Sequence, residues 1–184
     1  MIHHLDNTLA NLLDRELSYL GNADIKFDTP DSEFNPTSIA VNLFLYDVRE
    51  NLELRSNEVR TLRGNGTATQ QQPAVRVDCS YLITAWAGDI KEEHRILGDV
   101  MHVLLRYPKI PEEVLDGVLD NQELPLPTAI LQPGRLQSVG EFWQALDGKP
   151  KAALNYTVTI AVRPFELGEV PLAIEGSASL EPFS

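Results

Sequence analysis

The sequence predicts a single α+β domain in which helices cover a mixed or antiparallel sheet. Three observations predict it. Apolar residues recur at three- and four-residue intervals in two long stretches, near 2–20 and 90–107. Other stretches alternate apolar and polar side chains with the period of a strand. The elements follow one another as helix, strand, strand, strand, helix, helix, strand, with no internal repeat and no linker that divides the chain.

In order, Ile2, Leu5, Leu9, Leu12, Leu13, Leu17 and Leu20 form one apolar stripe on a helix, which Gly21-Asn22 ends. Ile25 and Phe27 alternate with Asp24, Lys26 and Asp28 as a short strand, and Thr29 to Pro36 is a proline-bearing loop. Ser38 to Val48 is a longer strand, apolar on both faces and therefore expected inside the sheet. Between Ser56 and Gln72 apolar residues nearly vanish, so this stretch reads as a long exposed loop, either disordered or used for contact. Val75, Val77, Cys79, Tyr81 and Ile83 alternate with Arg76, Asp78 and Ser80 in a strand that runs into Trp86.

Asp89 followed by Glu92 has the form of a helix N-cap, and the helix it starts is closed by Pro108. A short helical piece is expected over Glu112 to Leu119. Pro125 and Pro127 confine a strand at Thr128 to Leu131 to a sheet edge. Ser138 and Glu141 form a second capping box ahead of a helix bearing Phe142, Trp143 and Leu146, ended by Gly148-Lys149-Pro150. Leu154 to Val162 alternates cleanly as a one-faced strand, and a weaker strand is expected near Val170 to Ile174. The domain is read as 1–184, with 165–184 a tail or an edge strand.

With 184 residues, 43% of them apolar, such a domain buries roughly 70% of its unfolded surface and needs no staples. Cys79 is the single cysteine, which excludes an intramolecular disulfide and a thiolate cluster, and it is read as a buried apolar side chain. The net charge of −12, from 27 acidic and 15 basic residues, repels a phosphate backbone, so nucleic acid is not an expected partner. No apolar run is long enough to span a bilayer and Met1 to Asp6 lacks the order of a signal peptide. The expectation is a cytoplasmic protein without membrane insertion, whose partners are proteins.

Catalytic groups do not converge in the sequence. His94 and His102 stand eight apart on one helix, too far for one metal, and His3-His4 reads as a fraying terminus. Gly64-Asn65-Gly66 lacks the strand, helix and Lys-Ser/Thr of a phosphate loop and reads as a flexible turn. Glu92-Glu93 and Glu112-Glu113 lie at helix starts, where the dipole favours them. The expected catalytic, cofactor and metal sites are therefore none, and a hydrolase would need a triad the sequence does not display.

Two stretches carry a resemblance. Val41-Asn42-Leu43-Phe44-Leu45-Tyr46-Asp47-Val48-Arg49-Glu50-Asn51 is followed by Leu54-Arg55-Ser56-Asn57. Asp78-Cys79-Ser80-Tyr81-Leu82-Ile83-Thr84-Ala85-Trp86-Ala87 is followed by Glu93-His94-Arg95-Ile96-Leu97-Gly98. With Glu141 to Leu146 and the Asn155 to Thr159 strand, they are similar to the cap-protein N-terminal domain of virulence-cassette and antifeeding-prophage injection particles, over roughly Leu5 to Arg163. The resemblance implies a fold like phage tail terminators and a six-fold ring on the end of the inner tube, which stops tube growth and anchors the last sheath layer. Its implied partners are copies of itself, the inner tube protein and the sheath protein. Some members of such a family carry a further C-terminal domain.

A ring of identical subunits needs two complementary patches on each. Arg49, Glu50, Asn51 and Arg55, just past the long strand, and Glu93, His94 and Arg95, at the start of the long helix, are the candidate interface residues. The alternative is a small-molecule or peptide binding module built around Trp86, Trp143 and Tyr156.

Overall fold

A computed structural model describes residues 1–20, 23–64, 67–122, 125–132, 139–164 and 168–171. Helix α1 (Ile2–Glu16) is followed by strands β1 (Asp24–Lys26), β2 (Ala40–Glu50), β3 (Arg60–Gly64), β4 (Thr67–Gln71) and β5 (Val75–Trp86). Then come α2 (Ile90–Arg106), β6 (Thr128–Ile130), α3 (Val139–Ala145), β7 (Leu154–Val162) and β8 (Gly168–Pro171).

The main sheet has the order β1-β2-β5-β7-β6. Only β1 and β2 run parallel; the remaining pairs are antiparallel, so the sheet is mixed as expected. Strand β2 is internal, and β5, flanked by β2 and β7, is the spine. Between Leu45 and Asp47 the β2–β5 register shifts, a bulge that places Tyr46 outside the regular pairing.

Period-two alternation decides which side chains enter the core. Val41 and Leu43 of β2, Cys79, Tyr81, Ile83 and Ala85 of β5, and Leu154, Tyr156, Val158 and Ile160 of β7 are buried on one face. Helix α1 closes this face with Leu5, Leu9, Leu12 and Leu13, and α2 adds Ile96, Val100, Val103 and Leu104. The other face is covered too. The Phe142 ring of α3 sits 6.1 Å from Phe44 and 6.5 Å from Tyr46. Arg76, Asp78 and Ser80, the polar half of the β5 alternation, are buried as well.

Local rules set the element ends. The Asp89 carboxylate caps α2 by accepting from the Glu92 amide at 3.3 Å, and Pro108 follows its last turn. Helix α3 ends in a Schellman turn: Gly148 N–H donates to Trp143 O at 3.0 Å and Asp147 N–H to Gln144 O at 3.1 Å, with Asp147 at φ 51. Ser138, expected as its cap, lies outside the described residues.

Four expectations are corrected. The stretch 56–72 is not a long loop, because β3 and β4 pair as a hairpin and β8 extends it to a separate three-stranded sheet. Backbone pairing satisfies this ladder, so it needs little apolar content; Gly64 pairs with Thr67, and Asn65 and Gly66, expected as a flexible turn, lie outside the described residues. Helix α1 stops at Glu16, and Ser18–Leu20 is a 3₁₀ turn; Gly21 and Asn22 lie outside the described residues. The piece from Glu112 to Leu119 is two 3₁₀ turns, Glu112–Val114 and Gly117–Leu119, separated by the extended backbone of Leu115 and Asp116, with Gly117 at φ 53. His4 does not fray: it lies within α1 and its Nδ1 is 2.7 Å from Asp116 Oδ2.

Candidate functional site

The seven candidate interface residues fall into two groups at opposite ends of the β2–β5 ladder. Glu50 pairs with Val77 at one end, and Ala40 pairs with Trp86 at the other, just before α2 begins.

At the first end β2 runs out into a 3₁₀ turn, Leu52–Leu54. Arg49 grips Asp47 with two bonds of 2.6 and 2.7 Å, and Arg55 grips Glu50 at 2.7 and 2.8 Å. These forks hold the guanidinium groups in fixed directions at the surface. Asn51 faces inward instead. Its Oδ1 accepts from the Leu54 amide at 3.1 Å, capping the turn, and its Nδ2 donates to the Asp78 carboxylate at 3.0 and 3.2 Å. Thr159 Oγ1 donates to the same Asp78 Oδ1 at 2.7 Å. Around this polar frame Val48, Leu52, Leu54 and Val59 are exposed, Leu52 by 67%. Apolar side chains gathered beside fixed charges are the composition of a protein-docking surface.

At the second end Glu93 turns inward, while His94 and Arg95 face out. Glu93 Oε1 accepts from the Ala87 amide at 3.3 Å and from Lys151 Nζ at 2.9 Å. Lys151 Nζ also donates to Ala85 O at 2.8 Å and stands 3.5 Å from the Trp86 ring centroid, an ammonium held over an aromatic face. Burial lowers its pKa, against the pull of Glu93. Phe34 closes the edge of Trp86 at 4.9 Å. Arg95 lies on the exposed side of α2 between Glu92, at 2.7 Å, and Asp99, at 3.2 Å, and holds Glu92 below the usual carboxylate range.

The structure thus separates the candidates. Arg49, Glu50, Arg55, His94 and Arg95 present groups at the surface, whereas Asn51 and Glu93 hold the scaffold behind them. Three residues were missed by the sequence reading: Asp78, Lys151 and Arg76. The signal for Arg76 and Asp78 was charge inside a twelve-residue strand with neighbours on both sides; Lys151 sits in a plain loop and gave none.

The placement of its three aromatics does not favour the alternative pocket. Trp143 is 1% and Tyr156 0% exposed, both in packing roles. Two clefts on the surface, of ≈ 420 and ≈ 600 Å³, are lined by other residues. Burial pushes the Cys79 thiol up to about 11, which keeps it a neutral core side chain. Among the described residues no group of three His, Cys, Asp or Glu side chains is placed to hold a metal ion. Also among them, no helix is long and apolar enough to cross a membrane.

Among the described residues, oriented ion pairs and exposed apolar groups stand at the two ends of a sheet covered on both faces, a surface composition suited to protein contacts. Residues 4–169 match the Pvc16 N-terminal domain, and the chain belongs to that family. Its structure is similar to the sheath/tube terminator of the extracellular contractile injection system PVC in the extended state, with 26% identity and a TM-score of 0.68 over 96% of this chain and 63% of that one. It is also similar to the tube-terminating cap of the anti-feeding prophage, with 25% identity and a TM-score of 0.64 over 98% of this chain and 60% of that one. The chain therefore spans less than two thirds of either. None of the curated proteins matches it.

Proposed function

We propose that this chain is a structural cap of a contractile injection system: it forms a ring on the end of the inner tube, stops tube growth and anchors the last sheath layer. The observation that carries this reading is the likeness of 96% of the chain, at a TM-score of 0.68, to a sheath/tube terminator. The two ends of the β2–β5 ladder support it, since a closed ring joins subunits head to tail and needs two different surfaces on each. In this reading the ring has six subunits, the partners are the tube and sheath proteins, the protein is not an enzyme, and it is made in the cytoplasm and built into the particle. Mass photometry of the chain with and without purified tubes tests it. Rings that appear on tube ends are expected; a chain that stays monomeric and ignores tube ends overturns the reading.

A further inference from the structure

The cleft of ≈ 420 Å³ lies between the β4–β5 connection and the residues leading into β6. Its walls include Leu54, Pro73, Pro125 and Pro127, and prolines offer no backbone N–H to a ligand. Arg76 lines it and is 9% exposed. A buried guanidinium carries five donors and normally meets a carboxylate, yet Arg76 has little to hold. Among the described residues its Nε has no hydrogen-bond partner, and its Nη2 reaches only Pro125 O, at 3.5 Å.

The acid beside it on the same face of β5 is already engaged. Asp78 accepts from Asn51 and Thr159 and forms no ion pair with Arg76. Glu58 lines the cleft at an exposed position and does not pair with Arg76 either. Desolvation lowers the Arg76 pKa, with Asp78 only partly opposing it. Arg163 adds a second guanidinium to the lining. In a chain of net charge −12, a cleft whose lining holds two arginines and one glutamate is locally the more basic.

We propose that this cleft binds a carboxylate-bearing extended segment of a partner protein, with the acidic side chain taken by the Arg76 guanidinium and the flanking apolar side chains laid on Leu54 and the prolines. A protein segment fits better than a small acid because Leu54 continues into the exposed apolar surface of Leu52 and Val59, which only a longer occupant covers. In the assembly proposed above the segment belongs to a neighbouring subunit of the particle, and that assignment rests on the cap reading; the chemistry of the cleft does not.

The test uses the isolated full chain, labelled with ¹⁵N, and two blocked tripeptides, Leu-Glu-Leu and Leu-Gln-Leu, while the Arg76 Nε–Hε resonance is followed by NMR. The Glu peptide is expected to shift that resonance and to bind at least about tenfold more tightly than the Gln peptide, the loss of a charge-assisted hydrogen bond. Arg76→Gln should abolish the difference, and Arg76→Lys should restore only part of it, because an ammonium cannot form the planar fork. Equal binding of the two peptides, or a resonance that neither moves, overturns the proposal; the comparison needs no variant and so survives a variant that fails to fold. An Arg76 resonance that moves on dilution of the chain alone assigns the cleft to a second copy and overturns a separate partner. None of these results bears on whether rings form at tube ends, so failure of the cleft and failure of the cap reading remain distinguishable.

Discussion

The Tyr81 hydroxyl donates a 2.8 Å hydrogen bond to Oδ1 of Asp6, tying the middle of β5 to the first turns of α1. Burial raises the Asp6 pKa above its ordinary 3.8, opposed by this bond and by His3. A raised carboxylate stabilises the fold below its unfolded pKa and loses that contribution as pH climbs through the folded value. Asp6→Asn removes the titration. Its melting temperature relative to the parent should therefore become more positive between roughly pH 4 and pH 7, as scanning calorimetry across that window would reveal. A difference that moves the other way refutes the assignment. Tyr81→Phe, which leaves the half-buried carboxylate without this donor, should cost about 1–2 kcal/mol in urea unfolding at neutral pH.

Burial, more than the number of bonds, should separate two cations of the α2 end. The Lys151 and Glu93 side chains are 15% and 18% exposed, and Lys151 also covers Trp86. Lys151→Ala should cost about 2–3 kcal/mol and shift Trp86 fluorescence to the red. Arg95 is 48% exposed between its two acids, and Arg95→Ala should cost no more than about 1 kcal/mol. Equal losses for the two variants would contradict the buried geometry.

Two glycines should respond to alanine with opposite signs. Gly117 has φ +53, and an added Cβ would run into the His4 ring, displacing it from Asp116. Gly117→Ala should destabilise by about 2–4 kcal/mol, combining left-handed strain with a lost contact. Gly98 lies inside α2 with nothing within 4 Å of its added Cβ, so Gly98→Ala should stabilise by about 0.5–1 kcal/mol through helix propensity. Chemical denaturation of both variants settles the signs.

Leu52 and His94 test docking without testing the fold. Both are exposed, Leu52 by 67%, so Leu52→Asp and His94→Ala should each stay within about 0.5 kcal/mol of the parent in stability. If they stand at subunit or tube contacts, association with tube ends should weaken by at least about tenfold for Leu52→Asp, as a charge replaces a covered apolar group. Unchanged association in mass photometry removes that end of the ladder from the interface.

Much of the fold was legible because its signals are local. Asp89 before α2, the prolines around β6 and the alternation of β5 and β7 each state their structure within a dozen residues. The β3–β4 hairpin was illegible for a physical reason: a ladder held by backbone pairing leaves no apolar pattern to read. The candidate site was legible only as surface charge. Whether Asn51 faced a partner or Asp78, 27 positions away, depends on strand register, which no window of sequence contains. Arg76 looked like the wet side of a strand because the β6 approach, whose Pro125 lies against it, comes 49 residues later in the chain.

The outer side of β7 carries a further consequence. Gln122 places its side-chain amide against Ala161, donating to the carbonyl at 3.0 Å and accepting from the N–H at 3.0 Å, while Pro127 O takes the Thr159 amide at 3.0 Å. A side chain and a proline segment thus occupy the positions where another chain's backbone would otherwise zip on. Filling these rungs from within leaves that stretch of β7 without free backbone groups for a foreign strand to pair with.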